Sequence, residues 1–184
     1  MPDMIFIETE LKGAYIIEPE KKGDLRGFFA RSFDSEIFKE RGLNPNVRQC
    51  NISYSKTKGT LRGLHYQIPP YQEAKFLRCV RGKIYDVIVD LRKKSDTYKR
   101  WIGVELSEEN YKMLYAPEGF AASFQTLTDD VELIYQVSQE YNPKHERGLR
   151  WNDPAFDIKW PLEPTVISDK DKSWPLFDDN LYDI

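Results

Sequence analysis

The sequence predicts an all-β domain of short antiparallel strands, arranged as a sandwich or a barrel. Turn-forming glycines and prolines are spread along most of the chain, and no repeat or linker interrupts them. Apolar and polar residues alternate, most clearly in residues 131–138, where Val131, Leu133 and Tyr135 fall on one face. Aromatic residues make up 14% of the chain, and their rings suit the pleated faces of sheets. Alternation with a period of two is typical of strands that bury one face.

Ten segments are expected to form strands, because each is a run of apolar or alternating residues bounded by turn signals. They are residues 4–8, 14–18, 47–54, 60–67, 75–81, 83–91, 101–106, 112–116, 121–127 and 131–139. A short connecting helix is predicted over residues 35–41. Asp34 or Ser35 can cap its first turn, and Gly42 can adopt the left-handed conformation that ends a helix.

The chain changes character from Tyr141 onward, where Pro and Asp become frequent. This composition predicts an irregular C-terminal tail that does not take part in sheet pairing. We expect the tail to wrap the barrel and to pack on it through large rings, which are Trp151, Trp160 and Trp174.

Length and charge restrict the classes of protein to which the chain can belong. Its 184 residues predict one domain over residues 1–184. A net charge of -3, from 27 basic and 30 acidic residues, argues against a nucleic acid partner. The mean hydropathy is -0.63, and no apolar run approaches the roughly 18 residues of a membrane span. The first ten residues lack the basic and apolar regions of a signal peptide, so we expect no membrane association and a cytoplasmic location.

The cysteine and histidine residues are few. Cys50 and Cys79 are expected to be free, buried thiols, because a reducing compartment and a full-sized core make a disulfide unnecessary. The two histidines, His65 and His145, stand far apart in the sequence. This spacing argues against a His-rich metal site, and we expect neither a metal nor another cofactor.

Polar groups are concentrated where a simple β core would not accept them, in residues 24–29, 49–51 and 61–67. On a regular strand, His65 would share a face with Leu61, Gly63 and Gln67 and could point into the barrel. The spacing equally allows a structural histidine with satisfied hydrogen bonds. Arg62 and Lys75 lie beside apolar strand residues, and both could also be solvated charges at sheet edges.

Seven motifs follow one another along the chain: DLRGFF, NISYSKTKGTLRGLHYQ, KFLRC, GKIYDVIVDLR, PEGFA, RWNDPAFDIKWP and SDKD. Together with Tyr135 and Tyr141, this series resembles the dTDP-4-dehydrorhamnose 3,5-epimerases over about residues 4–178. The resemblance implies a cupin-type jelly-roll barrel that works without metal. It also implies a homodimer in which N-terminal strands cross to the partner.

The resemblance implies an isomerase that inverts C3 and C5 of a nucleotide-linked 4-keto-6-deoxyhexose, making dTDP-4-dehydro-L-rhamnose. Such a reaction needs a base, an acid opposite it and a group that holds the enolate oxygen. By motif position, His65 would be the base and Asp171 would orient it and stabilise its protonated form. Tyr135 would be the acid, and Lys75 would stabilise the charged oxygen.

Other matched positions imply contacts to the nucleotide sugar. Tyr141 occupies the place of a ring that stacks on thymine, although a surface-packing tyrosine is the alternative. Arg26 would reach into the partner's site, and Phe29 would add a wall facing the sugar. The remaining implied contacts are Gln49, Asn51, Arg62, Glu146 and Lys170.

Asp86 and Asp90 share one strand face, which could suggest a pair of catalytic carboxylates. Because basic residues such as Arg92 lie nearby, we interpret both as structural hydrogen-bond or ion-pair partners and leave them out of the mechanism.

The chain departs from the family pattern at three positions. The common stretch PEGFAHGF reads PEGFAASF, so Ala122 replaces a histidine. Arg31 replaces a frequent Glu, and Cys50 replaces a frequent Asp. An epimerase of another nucleotide-linked 4-ketosugar, or of one carbon only, is therefore an alternative. A catalytically silent nucleotide-sugar-binding cupin is a further alternative. The presence of both a base and an acid argues against it.

Overall fold

The structure, a computed structural model, describes residues 4–179 and is dominated by β-strands. The strands are β1 (Met4–Glu8), β2 (Tyr15–Pro19), β3 (Lys22–Asp24), β4 (Gly27–Phe29), β5 (Gln49–Ser55), β6 (Thr60–Gln67), β7 (Lys75–Arg81), β8 (Lys83–Asp90), β9 (Trp101–Ser107), β10 (Met113–Ala116), β11 (Phe120–Thr126), β12 (Val131–Val137), β13 (Glu146–Gly148) and β14 (Val166–Ile167). The helices are α1 (Ser35–Glu40) and α2 (Asp169–Lys172).

Two antiparallel sheets make up the barrel. The first has the order β1-β2-β10-β7-β12-β5, and the second has the order β13-β6-β11-β8-β9, with β14 added in parallel to β6. Strands β3 and β4 form a separate hairpin. From β5 to β12, each strand except β9 lies in the sheet opposite to that of the strand before it, which is the jelly-roll arrangement. The predicted all-β, cupin-type fold and all ten predicted strands are confirmed.

The main core lies between the two sheets. On β12, Val131 and Leu133 point inward and are fully buried, as the alternation predicted. Ile84 and Ile88 on β8 meet them from the second sheet. Burial of such apolar surface contributes roughly 25 cal/mol per Å² and is the main force that holds the two sheets together.

Helix α1 covers part of the outer face of the first sheet. Its Phe38 is buried and packs edge-on against Phe76 and Tyr115, with ring centroids 5.2 and 5.7 Å away. Of the two predicted caps, Asp34 is the one used, accepting hydrogen bonds from the backbone N–H groups of residues 36 and 37. The chain turns at Gly42, where φ is 72°, so the predicted helix and its end are confirmed.

The C-terminal tail covers the outer face of the second sheet. Trp160 packs on this side and donates from its indole N–H to the carbonyl oxygen of Trp151 at 2.9 Å. The predicted wrapping by aromatic rings is therefore confirmed. The prediction that the tail avoids sheet pairing was wrong, because β13 and β14 both pair with β6. Two- and three-residue strands are too short to show alternation in the sequence.

The cysteines differ in environment. Both are free, and Cys79 is buried, which raises the pKa of its thiol to about 11. Cys50 is exposed, contrary to the prediction, because it lies on the outer face of β5, where Ile52 and Tyr54 are exposed as well. The single domain predicted over residues 1–184 remains a prediction, and its residues 1–3 and 180–184 lie outside the described part. Within residues 4–179, no helix has the length and apolar character needed to cross a membrane.

Candidate active site

A cavity of about 450 Å³ opens between the two sheets, next to the main core. Strands β5, β6, β7, β8, β11 and β12 contribute to its wall, and α2 closes one side. Its titratable and charged lining residues are Arg62, His65, Lys75, Asp86, Tyr135, Lys170 and Asp171. A concave site with convergent polar groups is the usual form of a small-molecule binding site.

A bulge in β6 determines which of its side chains reach the cavity. Gly63 has a φ of 105°, and a Cβ atom there would lie 2.6 Å from the carbonyl oxygen of Ala122. The register shift at this point places Arg62 opposite Phe124 and His65 opposite Ala122. The regular alternation predicted for residues 61–67 is thus broken, and Arg62 and His65 both line the cavity.

His65 and Asp171 form a hydrogen-bonded pair in the cavity wall. The distance from His65 Nε2 to Asp171 Oδ1 is 2.6 Å, and Asp171 Oδ2 accepts from the backbone N–H of Gly63 at 3.2 Å. Burial alone would raise the pKa of the Asp171 carboxyl, but the bonds from His65, Gly63 and Ser168 outweigh it and lower the pKa. Asp171 is therefore an anion that can stabilise a protonated imidazole.

Helix α2 brings Asp171 to this position, 106 residues along the chain from His65. Ser168 caps the helix, because its Oγ accepts from the backbone N–H of Asp171 at 3.1 Å. The preceding strand β14 pairs with β6 and so ties the helix to the strand that carries His65.

Tyr135 and Lys75 reach the cavity from the first sheet. His65 and Asp171 line it from the opposite side, that of the second sheet. Burial raises the pKa of the Tyr135 phenol, and the nearby Glu73 carboxylate raises it further. The phenol is therefore protonated near neutral pH and can donate. Lys75 Nζ forms an ion pair with Glu73, whose other oxygen accepts from the side-chain amide of Gln67 at 3.1 Å.

Asp86 also lines the cavity and is 3% exposed, so its interpretation as a structural partner alone was incomplete. It lies on β8 between Ile84 and Ile88, and burial raises its pKa to about 8. The same interpretation of Asp90 is confirmed, because Asp90 pairs with Arg92 at 2.8 Å. The sequence signal for Asp86 was a carboxylate in the middle of a strand with apolar neighbours on the same face.

Four of the predicted nucleotide contacts, which we call the rim group, are joined by hydrogen bonds and reach the cavity through Lys170, which lines it; they are Gln49, Tyr141, Glu146 and Lys170. Glu146 accepts from the Tyr141 hydroxyl at 2.7 Å and from Lys170 Nζ at 2.6 Å. Gln49 Oε1 accepts from the backbone N–H of Tyr141 at 3.1 Å. Burial would raise the pKa of Glu146, but the hydrogen bonds from Lys170 and from the Tyr141 hydroxyl outweigh burial and lower the pKa. The rim therefore presents an exposed aromatic ring beside a hydrogen-bonded ion pair.

Of two further predicted contacts, Arg62 lines the cavity, and Asn51 lies on β5, a strand that contributes to the cavity wall. Arg62 donates to Ser55 Oγ at 3.1 Å and to the carbonyl oxygen of Tyr54 at 2.9 Å, which fixes its guanidinium at the cavity. Asn51 is the cross-strand neighbour of Tyr135, on the edge strand β5.

Arg26 and Phe29 are not brought to the cavity of their own chain. Both lie in the exposed β3–β4 hairpin, where Arg26 pairs with Asp24 and Phe29 is 65% exposed. Phe29 lines a separate groove together with Arg31. The predicted role of Arg26 in a partner's site is compatible with this exposure and stays a prediction.

The positions that depart from the family pattern have different surroundings. Ala122 lines the cavity on β11 and is the cross-strand neighbour of His65 in the same sheet. Arg31 pairs with Asp34 at 3.1 Å, next to α1. Among residues 4–179, no group of three or more His, Cys, Asp and Glu side chains could hold a metal ion.

The sequence profile of the dTDP-4-dehydrorhamnose 3,5-epimerases matches residues 8–179. The chain belongs to this family. A dTDP-4-dehydrorhamnose 3,5-epimerase of Shigella flexneri is 45% identical over 180 residues, which cover 97% of this chain and 99% of that protein.

Solved structures of the family have the same fold. The dTDP-4-dehydrorhamnose 3,5-epimerase of Bacillus anthracis, with TDP and PPi bound, superposes with a TM-score of 0.91 at 42% identity. The match covers 95% of this chain and all of that one. The Legionella pneumophila epimerase in complex with dTDP-4-keto-L-rhamnose has a TM-score of 0.89 at 38% identity, covering 98% of this chain and 95% of that one.

Proposed function

We propose that this chain is an isomerase that converts dTDP-4-dehydro-6-deoxy-D-glucose into dTDP-4-dehydro-L-rhamnose by inverting C3 and C5. The observation that carries this proposal is the placement of His65, paired with Asp171, across one cavity from Tyr135 and Lys75. Membership in the epimerase family and the ligand of the Legionella pneumophila structure support the substrate.

In the proposed mechanism, His65 removes a proton from the carbon beside the 4-keto group. The electron pair of the broken C–H bond forms a C=C bond, and the 4-oxygen becomes the negatively charged oxygen of an enolate. Lys75 stabilises this oxygen, and Asp171 stabilises the protonated His65. Tyr135 returns a proton to the same carbon from the opposite face, and exchange with solvent then resets both groups.

The rim group is proposed to hold the nucleotide. The exposed ring of Tyr141 offers a stacking surface for a base, and Gln49 and Asn51 lie on the strand beside it. Arg62 suits a diphosphate because its planar guanidinium presents paired donors. Lys170 adds a second cation, positioned by Glu146. The TDP and PPi in the Bacillus anthracis structure support this assignment.

We further propose that the enzyme is a homodimer that works in the cytoplasm, with Arg26 and Phe29 serving the partner's site. Leu25, at the tip of the β3–β4 hairpin, is fully exposed, and so are large parts of Phe28 and Phe29. Ile52 on β5 is 72% exposed on the outside of the first sheet. Such apolar exposure is costly for a monomer and supports burial against a second copy.

The proposed function is tested by incubating the protein with dTDP-4-keto-6-deoxyglucose in heavy water and following deuterium at C3 and C5 by NMR. His65→Ala should slow exchange at both carbons by about 10²–10⁴-fold, the usual contribution of a positioned base. His145→Ala is the matched control, because His145 stacks on Tyr71 outside the cavity lining. Wild-type exchange in the His65→Ala variant would contradict the assignment of the base.

Ala122 favours a second candidate function, the inversion of one carbon only or the use of another nucleotide-linked 4-ketosugar. Ala122 lines the cavity on the strand next to His65, at a position where the family pattern has an imidazole that can donate a hydrogen bond. The same NMR experiment distinguishes the candidates, since a single-carbon epimerase incorporates deuterium at one position.

A further inference from the structure

Asp86 is a buried carboxyl group in the cavity wall that the mechanism above does not use. It is 3% exposed, and it lies on the inward face of β8 with Ile84 and Ile88. Its cross-strand neighbours are Phe124 on β11 and Val104 on β9, both apolar. Burying a carboxylate in such surroundings costs free energy unless a cation pairs with it.

The cations that face the cavity each have another acceptor. From β7, Lys75 is paired with Glu73. From β6, Arg62 donates to Ser55 and to a backbone carbonyl, and from α2, Lys170 is paired with Glu146. The other titratable groups lining the cavity are His65, Tyr135 and Asp171.

Burial consequently dominates the titration of Asp86. It raises the pKa of the carboxyl to about 8, although a hydrogen bond from the backbone N–H of Val87 and the charge of Lys75 act in the opposite direction. Near pH 7 most molecules therefore hold a proton on Asp86.

A proton at this place matters because negative charge develops in the cavity during an enolate reaction. An ionised Asp86 would face that charge with another of the same sign and would partly cancel the effect of Lys75. A carboxylic acid instead offers an O–H donor, and the apolar side chains around it strengthen a hydrogen bond to an anionic oxygen.

We propose that Asp86 enters the reaction as a neutral carboxylic acid and donates a hydrogen bond, beside Lys75, to the substrate oxygen that becomes negative in the enolate. The proton stays on Asp86 when the ketone re-forms, so no net transfer is needed. This inference rests on the proposed function, because it requires an enolate in the cavity.

The test compares Asp86→Asn, which keeps a neutral donor of the same shape, with Asp86→Leu, whose side chain has the same number and branching of heavy atoms and no donor. At pH 7 we expect Asp86→Asn to exchange substrate protons within about 10-fold of the wild type. Asp86→Leu should lose about 10²–10³-fold in kcat, as for removal of one oxyanion donor, with a small change in KM. Equal losses in the two folded variants, with an active wild type, would overturn the inference.

The pH profile gives a second readout that a structural role would not change. The wild-type rate should fall as the pH rises through about 8, because Asp86 then loses its proton, and Asp86→Asn should lack this decline. Tyr135, whose phenol pKa is raised by burial, is present in both proteins, so the difference between the two profiles reports Asp86. A decline that persists unchanged in Asp86→Asn would contradict the proposal.

Infrared spectroscopy tests the proton without reference to activity. At pH 7 the wild type minus Asp86→Asn difference spectrum should contain the carbonyl stretch of a protonated carboxyl group, and the band should disappear above pH 9. Absence of the band at pH 7 would overturn the inference, whatever the activity. An inactive wild type that shows the band would instead refute the proposed function, so the two failures are distinguishable.

Discussion

His65 and Tyr135 are carried by strands of opposite sheets, β6 and β12, and both line the cavity between them. A sugar ring bound in the cavity would therefore present one face to the imidazole and the other to the phenol. Inversion of a carbon requires this arrangement, since the proton must leave from one face and return to the other. A single group could exchange the proton but could not invert the carbon.

Substitution of Tyr135 should accordingly separate proton exchange with solvent from inversion of the carbon. In Tyr135→Phe the enolate can still form, and His65 can return a proton or deuteron to the original face. We expect deuterium uptake within about 10-fold of the wild type and epimer formation reduced by about 10²-fold or more. Separate NMR quantification of deuterium and of epimer measures both. An equal fall in the two rates would show that Tyr135 is needed for enolate formation itself.

Ala122 is the residue that we expect to make the substrate preference of this chain differ from that of family members with a histidine there. If an imidazole at this position holds the sugar while the second carbon reacts, its loss costs about 1–3 kcal/mol, or roughly 5–150-fold in rate. We expect unequal exchange at C3 and C5 in the native protein and a smaller difference in Ala122→His. Equal exchange at both carbons in the native protein would remove this explanation.

At the level of secondary structure, the bulge in β6 and the short unit β14–α2 together assemble the pair of His65 and Asp171. The bulge turns His65 and Arg62 into the cavity, and β14 pairs with β6 so that α2 delivers Asp171. Gly63 is central to this arrangement, because it forms the bulge and its N–H donates to Asp171.

Gly63→Ala should therefore damage both stability and activity. A Cβ atom would meet the Ala122 carbonyl oxygen at 2.6 Å, and the φ of 105° is strained for alanine. We expect the free energy of unfolding to fall by about 1–3 kcal/mol or more, measured by urea titration, and exchange activity to fall with it.

Gly42→Ala is the matched control for this substitution. Its φ is 72°, so alanine is strained there too, but nothing lies within 4 Å of the added Cβ atom. We expect lower stability with unchanged activity. If Gly63→Ala behaved in the same way as Gly42→Ala, the bulge would not be what positions His65.

At the scale of the whole molecule, the chain leaves part of its proposed site outside its own cavity. Arg26 lies in an exposed hairpin, and His65 lies between the sheets. If two copies exchange these hairpins, each complete site contains His65 from one chain and Arg26 from the other.

This arrangement predicts complementation between two inactive variants. In an equal mixture of Arg26→Ala and His65→Ala subunits, half of the dimers are hybrids, and each hybrid has one intact site. The rate of epimer formation should then recover to about a quarter of the wild-type value. His65→Ala mixed with Tyr135→Phe is the control, because both defects lie in the same chain's cavity and no hybrid site is intact. Equal activities of the two mixtures, with subunit exchange demonstrated, would count against a shared site.

Much of the fold was predictable from local patterns. The alternation on β12 and the turn signals between strands located every long strand, because the period of side-chain direction in a strand is a local property. The short strands β3, β4, β13 and β14 and helix α2 were not predicted, since two to four residues carry too little pattern. Strands β13 and β14 are stabilised by their pairing with β6, which lies far from them in the sequence.

The all-β class, the strand positions and, through the motifs, the family and the expected roles of His65 and Asp171 could be read from the amino-acid sequence alone. The folded chain was needed to show that Arg62 shares the cavity with His65, that Asp86 is a buried carboxyl in its wall, and that Arg26 stays outside. Desolvation and cross-strand register depend on residues far apart in the chain. A carboxyl on a strand has the same local sequence whether its neighbours in space are water or Phe124 and Val104.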